Sequence, residues 1–428
     1  MSFHHFHHLF ATIASVLVAF ALTTGCSSGD LNLKMETITQ AETWASPMWG
    51  YHTPKIVRNN SGECWTIVMN GSYPDADMQI FKRTLEGNWV AGYKFEDHYQ
   101  PGMLFLDSSD RLNVILNAQD RPIEHWRSTD QENRDNFELV AKGNGLPDGR
   151  GWYVGVGVRD DRVMMAYITL EYEAYFTHKL VLDTSWAPAI LIHEGYPDPK
   201  GNHSLLYTGF EYTPEHTFIY GSYCVDGSVH NTYRDIVLKR FPNGHPEAIE
   251  SETVFAGDSG YYAYAYDIIA DPKLDRVYIA HSAGIHSYGK VVPDVPEEGL
   301  YVSHGRFGEQ WTLSKVMSGK GCLTLHLDRD SGHLYALCSS GGWDEVNVLH
   351  MFRSEDEGHT WVDVSSTELP AMPEDLLHPY FVQNITHASG SVFDQPGFVF
   401  SNTKEGKTDD GLYQFDIQIL HAWSDGSE

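Results

Sequence analysis

The eight residues Ser354-Glu355-Asp356-Glu357-Gly358-His359-Thr360-Trp361 constrain this chain more than any other stretch. They read S-x-D-x-G-x-T-W, the Asp-box pattern. Such a run favours a tight turn between two strands. An Asp carboxylate there can accept bonds from nearby backbone N–H groups, and Gly can take a conformation closed to other residues. Thr360 and Trp361 then open the next strand, with the indole expected between neighbouring sheets. A turn of this kind marks one blade of a β-propeller, so the motif predicts an all-β architecture. It predicts no activity, because such turns sit on the blade rim, away from the central site.

The chain has 428 residues, long for one compact core. A propeller takes up that length as repeated blades, each closing on the next. The 24 Tyr, 20 Phe and 11 Trp suit pleated surfaces, and the 38 Gly suit turns. Weaker turn-plus-aromatic signals occur at 86–89, 128–137, 183–186, 242–244 and 303–311. Their separations scatter around and above one blade, roughly 40–50 residues, as loops of unequal length would make them. A second signal, Asp followed by Arg or His and then a strand, recurs at 107–111, 160–162, 271–276 and 328–333. Each predicts the inner hairpin of a blade. Alternating strands are expected at 112–116, 162–167 and 276–280, and no helix-period segment of useful length follows the N-terminal region. The expected division is a signal peptide at 1–25, a linker at 26–43 and a β-propeller at 44–428, with seven blades favoured and six the alternative.

Acidic residues number 58 against 29 basic ones, a net charge of −29. Nucleic acid is therefore excluded as a natural partner, since it requires clustered Lys and Arg. An anionic sugar remains compatible, through a locally basic or neutral-donor pocket. The acidity itself reads as solubility in a salty medium, where repulsion is screened. Leu9 to Leu22 is apolar, short for a membrane span and suited to a signal core. Leu22-Thr23-Thr24-Gly25-Cys26 resembles a bacterial lipoprotein cleavage site, with Cys26 as the lipidated residue. It departs from that pattern in lacking Lys or Arg in its first eight residues and in carrying Thr23 where Leu is usual. The expected location is outside the cytoplasm: periplasm, outer membrane or cell surface through a lipid on Cys26, or secreted. Cys322 and Cys338 flank the 328–332 turn almost symmetrically. They either form a disulfide or remain two separate buried thiols.

His98, then Gln119, then Pro122 and Arg127-Ser128 resemble the opening of the propeller-type polysaccharide lyases, the ulvan lyases and their relatives among BNR-repeat proteins. That family carries two histidines at about this separation. His98 matches the first, and Gln119 occupies the place of the second. The run Trp49-Gly50-Tyr51-His52-Thr53-Pro54 resembles the family's entry to its first blade. Gly151-Trp152-Tyr153 resembles a segment whose Tyr is catalytic. The Arg that the family places after the following strand is Ile168 here, and the next Arg is Arg234. The resemblance implies β-elimination from a uronic-acid-containing, ulvan-like glycan, with or without sulfate. That chemistry neutralises the C6 carboxylate, removes the C5 proton and protonates the departing O4. It casts His98 as base, Tyr153 as acid or proton shuttle, and Gln119 as an amide donor. It requires no cofactor.

Tyr223, His230 and Arg234 are further candidate contacts for sugar or carboxylate, or else parts of an ordinary blade strand and its turn. His281, His326 and Cys338 would hold a structural zinc if they converged; otherwise they are buried side chains with local partners. A structural calcium is the other metal that a propeller of this kind could carry. Three rivals stand beside the lyase. A glycoside hydrolase needs two carboxyls facing each other across roughly 5–10 Å. A sialidase would carry Arg-Ile-Pro, where this chain has Arg121-Pro122-Ile123. The third is a monomeric, non-catalytic carbohydrate-binding lipoprotein that has kept the propeller and lost the second His and the Arg.

Overall fold

Seven antiparallel sheets follow one another along the chain, six of four strands and one of five. The computed structural model describes residues 32–43, 54–71, 75–100, 102–118, 121–131, 135–147, 152–198, 201–224, 233–257, 261–285, 298–319, 321–340, 348–368, 378–384, 395–407 and 413–425. Each sheet contacts the next and the last returns to the first, so each sheet is a blade and the fold is a seven-bladed β-propeller. The inner strands are Ile56–Arg58, Met103–Leu106, Trp152–Arg159, Gly201–Tyr212, Tyr261–Asp271, Leu323–Leu327 and His378–Asn384. In blade 4 a short strand, Tyr196–Asp198, pairs with the start of the inner one.

Burial explains which sequences became which strands. Met103–Leu106 is apolar throughout, Leu323–Leu327 alternates Leu with Thr324 and His326, and both are fully buried, because blades cover both of their faces. Outer strands such as Trp89–Phe95 and Thr312–Ser318 alternate or lie open, with one face in water. Apolar clusters fill the space between consecutive blades: Trp65, Met78 and Leu104 between blades 1 and 2, Val156 and Met165 between 2 and 3, Leu325 and Tyr278 between 5 and 6. A fully buried side chain of this size contributes about 2–3 kcal/mol.

All six turn-plus-aromatic signals fall in one place, between the last two strands of blades 1 to 6. All four Asp-to-Arg/His signals join the first and second strands of blades 2, 3, 5 and 6. At the strongest signal, the Thr360 N–H and Oγ1 donate to the two Asp356 oxygens (2.8 and 2.7 Å), and the Gly358 N–H donates to Ser354 Oγ at 2.9 Å. Gly358 has φ +85°. Burial raises the Asp356 pKa, but the Thr360 and Ser354 hydrogen bonds outweigh it and hold the carboxyl at about 2. Trp361 packs against the cluster between blades 5 and 6.

Two expectations change. Residues 32–43, read as linker, form a strand that pairs with Tyr413–Asp425 and becomes the outer strand of blade 7. The N-terminal end of the described chain thus closes the ring. Cys322 and Cys338 are free thiols. The Ser339 N–H donates to the Cys322 carbonyl, and Cys338 stands opposite Leu323. That one-residue offset turns the two thiols to opposite faces of the sheet.

Candidate functional site

The loops that lead into the inner strands share one face of the ring, and the hairpin turns described above share the other. On that entry side, three adjacent inner strands break register at corresponding positions: between Trp152 and Gly155, between Leu206 and Gly209, and between Ala265 and Asp267. A tyrosine lies inside each break: Tyr153, Tyr207 and Tyr266. Tyr153 (φ +45°) and Tyr207 (φ +53°) adopt the left-handed region. For a bulky residue this costs of order 1–3 kcal/mol and persists only where the surroundings enforce it, a pattern that clusters at functional sites. Gly155 is part of the enforcement. A Cβ there would collide with the Thr208 carbonyl of the next inner strand.

These breaks bring aromatic rings into an arc around the axis. Tyr153 and Tyr207 meet edge to face with centroids 4.8 Å apart, Tyr207 and Tyr264 lie 4.9 Å apart, and Tyr264 and Tyr266 5.6 Å apart. The Tyr266 hydroxyl donates to the Gly321 carbonyl, at the start of blade 6, at 2.9 Å. Tyr207 and Tyr264 are buried, whereas Tyr153 and Tyr266 are half-buried. Further along the same strands stand Glu211 and Asp267. Burial pushes Glu211 up to about 8, and the neighbouring Asp267 adds to that rise. Burial also lifts Asp267 to about 6, against hydrogen bonds from Thr324 Oγ1 and the Leu325 N–H. Glu211 therefore holds its proton at neutral pH, which makes it a hydrogen-bond donor as well as an acceptor.

His98 lies in the loop between blades 1 and 2 and is 6% exposed. Its Nδ1 stands 2.7 Å from the Glu96 carbonyl, and its Nε2 3.4 Å from Glu124 Oε2 on the third strand of blade 2. The second contact lacks hydrogen-bond geometry and is an ion-pair approach. Both ring nitrogens thus face carbonyl or carboxylate oxygens. The His98 contact is the largest influence on Glu124; with Lys142 (3.0 Å) and Trp126 Nε1 (2.9 Å) it outweighs burial and holds the carboxyl at about 2. The contacts of His98 run to blade 2, while the ring of Tyr153 packs against blade 4.

Tyr223 and Arg234 do come together. The guanidinium stacks 6.0 Å from the Tyr223 ring centroid, and His193 of blade 3 meets that ring edge to face at 5.1 Å. Arg234 also pairs bidentately with Asp235, at 3.0 and 2.9 Å, and Asp235 accepts the Gly257 N–H. Gln119, His230 and Cys26 lie outside the described residues. The proposed zinc trio does not form: among the described residues no group of three His, Cys, Asp or Glu side chains could hold a metal ion. His281 spends both ring nitrogens inside blade 5, on the Ser282 carbonyl and on Ser303 Oγ at 2.8 Å, and burial depresses its pKa to about 4. Cys338 stands across the ladder from Leu323 and His350.

Sequence reasoning missed Tyr207, Tyr264, Glu211 and Asp267. A signal existed for one of them: Tyr207-Thr208-Gly209 repeats the Tyr-x-Gly of Tyr153-Val154-Gly155 at the same place in the next blade. Glu211 and Asp267 had none, being two acids among 58.

No family model matches this chain, and no curated protein does. Among solved structures, its fold is similar to that of an ulvan lyase of polysaccharide lyase family 25, seen free and bound to -[GlcA(1-4)Rha3S]-. The TM-score is 0.64 at 12% identity, over 89% of this chain and 95% of that one. The polysaccharide lyase Uly1 matches with a TM-score of 0.52 at 10% identity, over 91% of this chain and 99% of its own. At such identities the likeness is one of fold: a seven-bladed propeller of the form that ulvan lyases adopt.

Proposed function

We propose that this protein is an exported polysaccharide lyase that cleaves an anionic, uronic-acid-containing, ulvan-like glycan by β-elimination. What carries the reading is Tyr153: a half-buried phenol on an inner strand, at the entry face, held in a left-handed conformation by a bulge. The propeller it shares with ulvan lyases supports the same reading. Tyr153 would pass the proton to the departing O4. Arg234, stacked on Tyr223, would meet the C6 carboxylate, as would an amide from Gln119. His98 would take the C5 proton, the role that the family resemblance gives it. Cys26 would anchor the exported protein by its lipid.

The test is incubation with uronate polysaccharides while following the ultraviolet absorbance of the unsaturated uronate. Tyr153→Phe keeps the ring packing and removes the proton; it should lower product release at least about a hundredfold. His98→Asn should abolish release, and full activity in either variant would remove that residue from the mechanism. A second reading is favoured by the pinning of His98 on Glu124 and of Arg234 on Asp235: a carbohydrate-binding propeller without catalysis. It predicts glycan binding with no rise in absorbance.

A further inference from the structure

On the face opposite the tyrosine arc, a cleft of about 360 Å³ opens between blades 3 and 4. Six residues of extended strand separate Tyr153 from Arg159 at its mouth, about 20 Å. Its floor is apolar and rigid: Met164, Phe176 and Phe241 are all buried, with Phe176 and Phe241 rings 5.2 Å apart. Its wall is cationic. Arg159 donates to the Thr213 carbonyl and pairs with Asp160 at 3.3 Å. Asp160 is the acidic side chain at the cleft, and it points largely into water, 84% exposed.

Arg162 is different. The contact of its guanidinium is with His178 Nδ1 at 3.0 Å, and among the described residues no carboxylate pairs with it. An arginine can only donate, so Nδ1 is the acceptor and the ring proton sits on Nε2. Burial, then the charge of Arg162, lowers the His178 pKa, which agrees with a neutral ring. A half-buried guanidinium with donors to spare and an imidazole N–H therefore share one cleft, in a chain that carries twice as many acids as bases. Acids for neutralising it were plentiful, yet among the described residues the acid at the cleft, Asp160, pairs with Arg159 instead.

We propose that this cleft is a binding site for a small organic monoanion: a carboxylate or sulfate ester on a single six-membered ring. The anionic group takes the open donors of Arg162 and the Nε2–H of His178, in charge-assisted hydrogen bonds. The ring lies on Phe176, Phe241 and Met164. The volume admits one or two such rings and no polymer, so this is a site for a monomer or a chain end. It stands apart from the proposed elimination site and does not depend on it.

Titration calorimetry on the full chain tests it, with glucuronate, glucose 6-sulfate and benzoate as probes and methyl glucoside as the neutral control. Saturable binding of at least one anion, and none of methyl glucoside, is expected. The three anions distinguish a sugar acid, a sugar sulfate and an aromatic acid as the source. Arg162→Gln should weaken binding at least about tenfold, the loss of one charge-assisted hydrogen bond. Its melting temperature without ligand should stay close to that of the parent, since no ion pair is broken. Arg162→Lys should bind with intermediate strength, and Tyr153→Phe should bind as the parent does. Absence of binding to all three anions, or equal affinity in a folded Arg162→Gln, overturns the proposal.

Discussion

Glu36 is the residue on which closure of the ring can be tested. It stands on the Asn32–Thr43 strand of blade 7 and receives donors from two blades. Arg83 reaches it from blade 1 at 2.6 and 3.2 Å, Trp89 Nε1 from blade 1 at 2.7 Å, and His421 Nδ1 from its own blade at 2.8 Å. Burial would raise its pKa, but the bonds from His421, Arg83 and Trp89 outweigh burial and hold it at about 2, against 4.5 for the free group. A displacement of that size is worth roughly 3 kcal/mol; solvent screening at a partly exposed carboxylate trims it to about 2 kcal/mol. The folded pKa is depressed, so this stability is complete above about pH 4.5 and drains away as pH falls toward about 2. His421 adds to the same trend. Burial lowers its pKa despite the contact with Glu36, so acid that protonates the imidazole of the unfolded chain opposes folding. Glu36→Gln should lower the melting temperature by a few degrees at neutral pH and flatten the acid limb of a melting-temperature profile. Arg83 would keep its contact with the Trp423 ring at 5.2 Å, so the variant should still fold. An unchanged melting temperature together with an unchanged acid limb would show that the strand closes the ring through its backbone ladder alone.

Other buried charges give further tests. Lys55 is 1% exposed, with its ammonium on the Gly102 carbonyl at 2.9 Å, and burial depresses its pKa to about 7. Its penalty is absent at very alkaline pH and grows as pH falls toward 7, so Lys55→Met should raise the melting temperature, most at or below neutral pH; a fall at every pH would refute this. Glu211, raised by burial to about 8, favours the folded state below about pH 4.5 and loses that advantage as pH climbs to about 8. Glu211→Gln should therefore stabilise the protein most at mildly alkaline pH, and a profile parallel to the parent's would show that the carboxyl is not buried against its charge.

The frame of this molecule was legible because propeller turns are local chemistry. Asp107, with a carboxylate oxygen accepting from the Ser109 and Arg111 N–H groups at 2.9 and 3.0 Å, needs only residues within four positions of itself. Asp328 does the same with Asp330 and Ser331. Repetition of that chemistry marks the inner hairpins of blades 2, 3, 5 and 6. The closing strand was not legible, because 32–43 finds its partner almost four hundred residues away, at Gln418 for Thr37, and carries no turn to announce itself. The site was legible only where a local signature coincided with it. Tyr153 was singled out through its flanking residues, while Tyr207 and Tyr264 acquire their place from ring contacts across three blades. His98 shows the opposite case: its position before an inner strand suggested the axis, but Glu124 on the third strand offered a carboxylate that the loop could reach, and an imidazole flanked by two acceptors settles there. A sequence motif thus locates a residue along a blade, whereas the direction in which its side chain turns is decided by the nearest unsatisfied charge, which the motif does not contain.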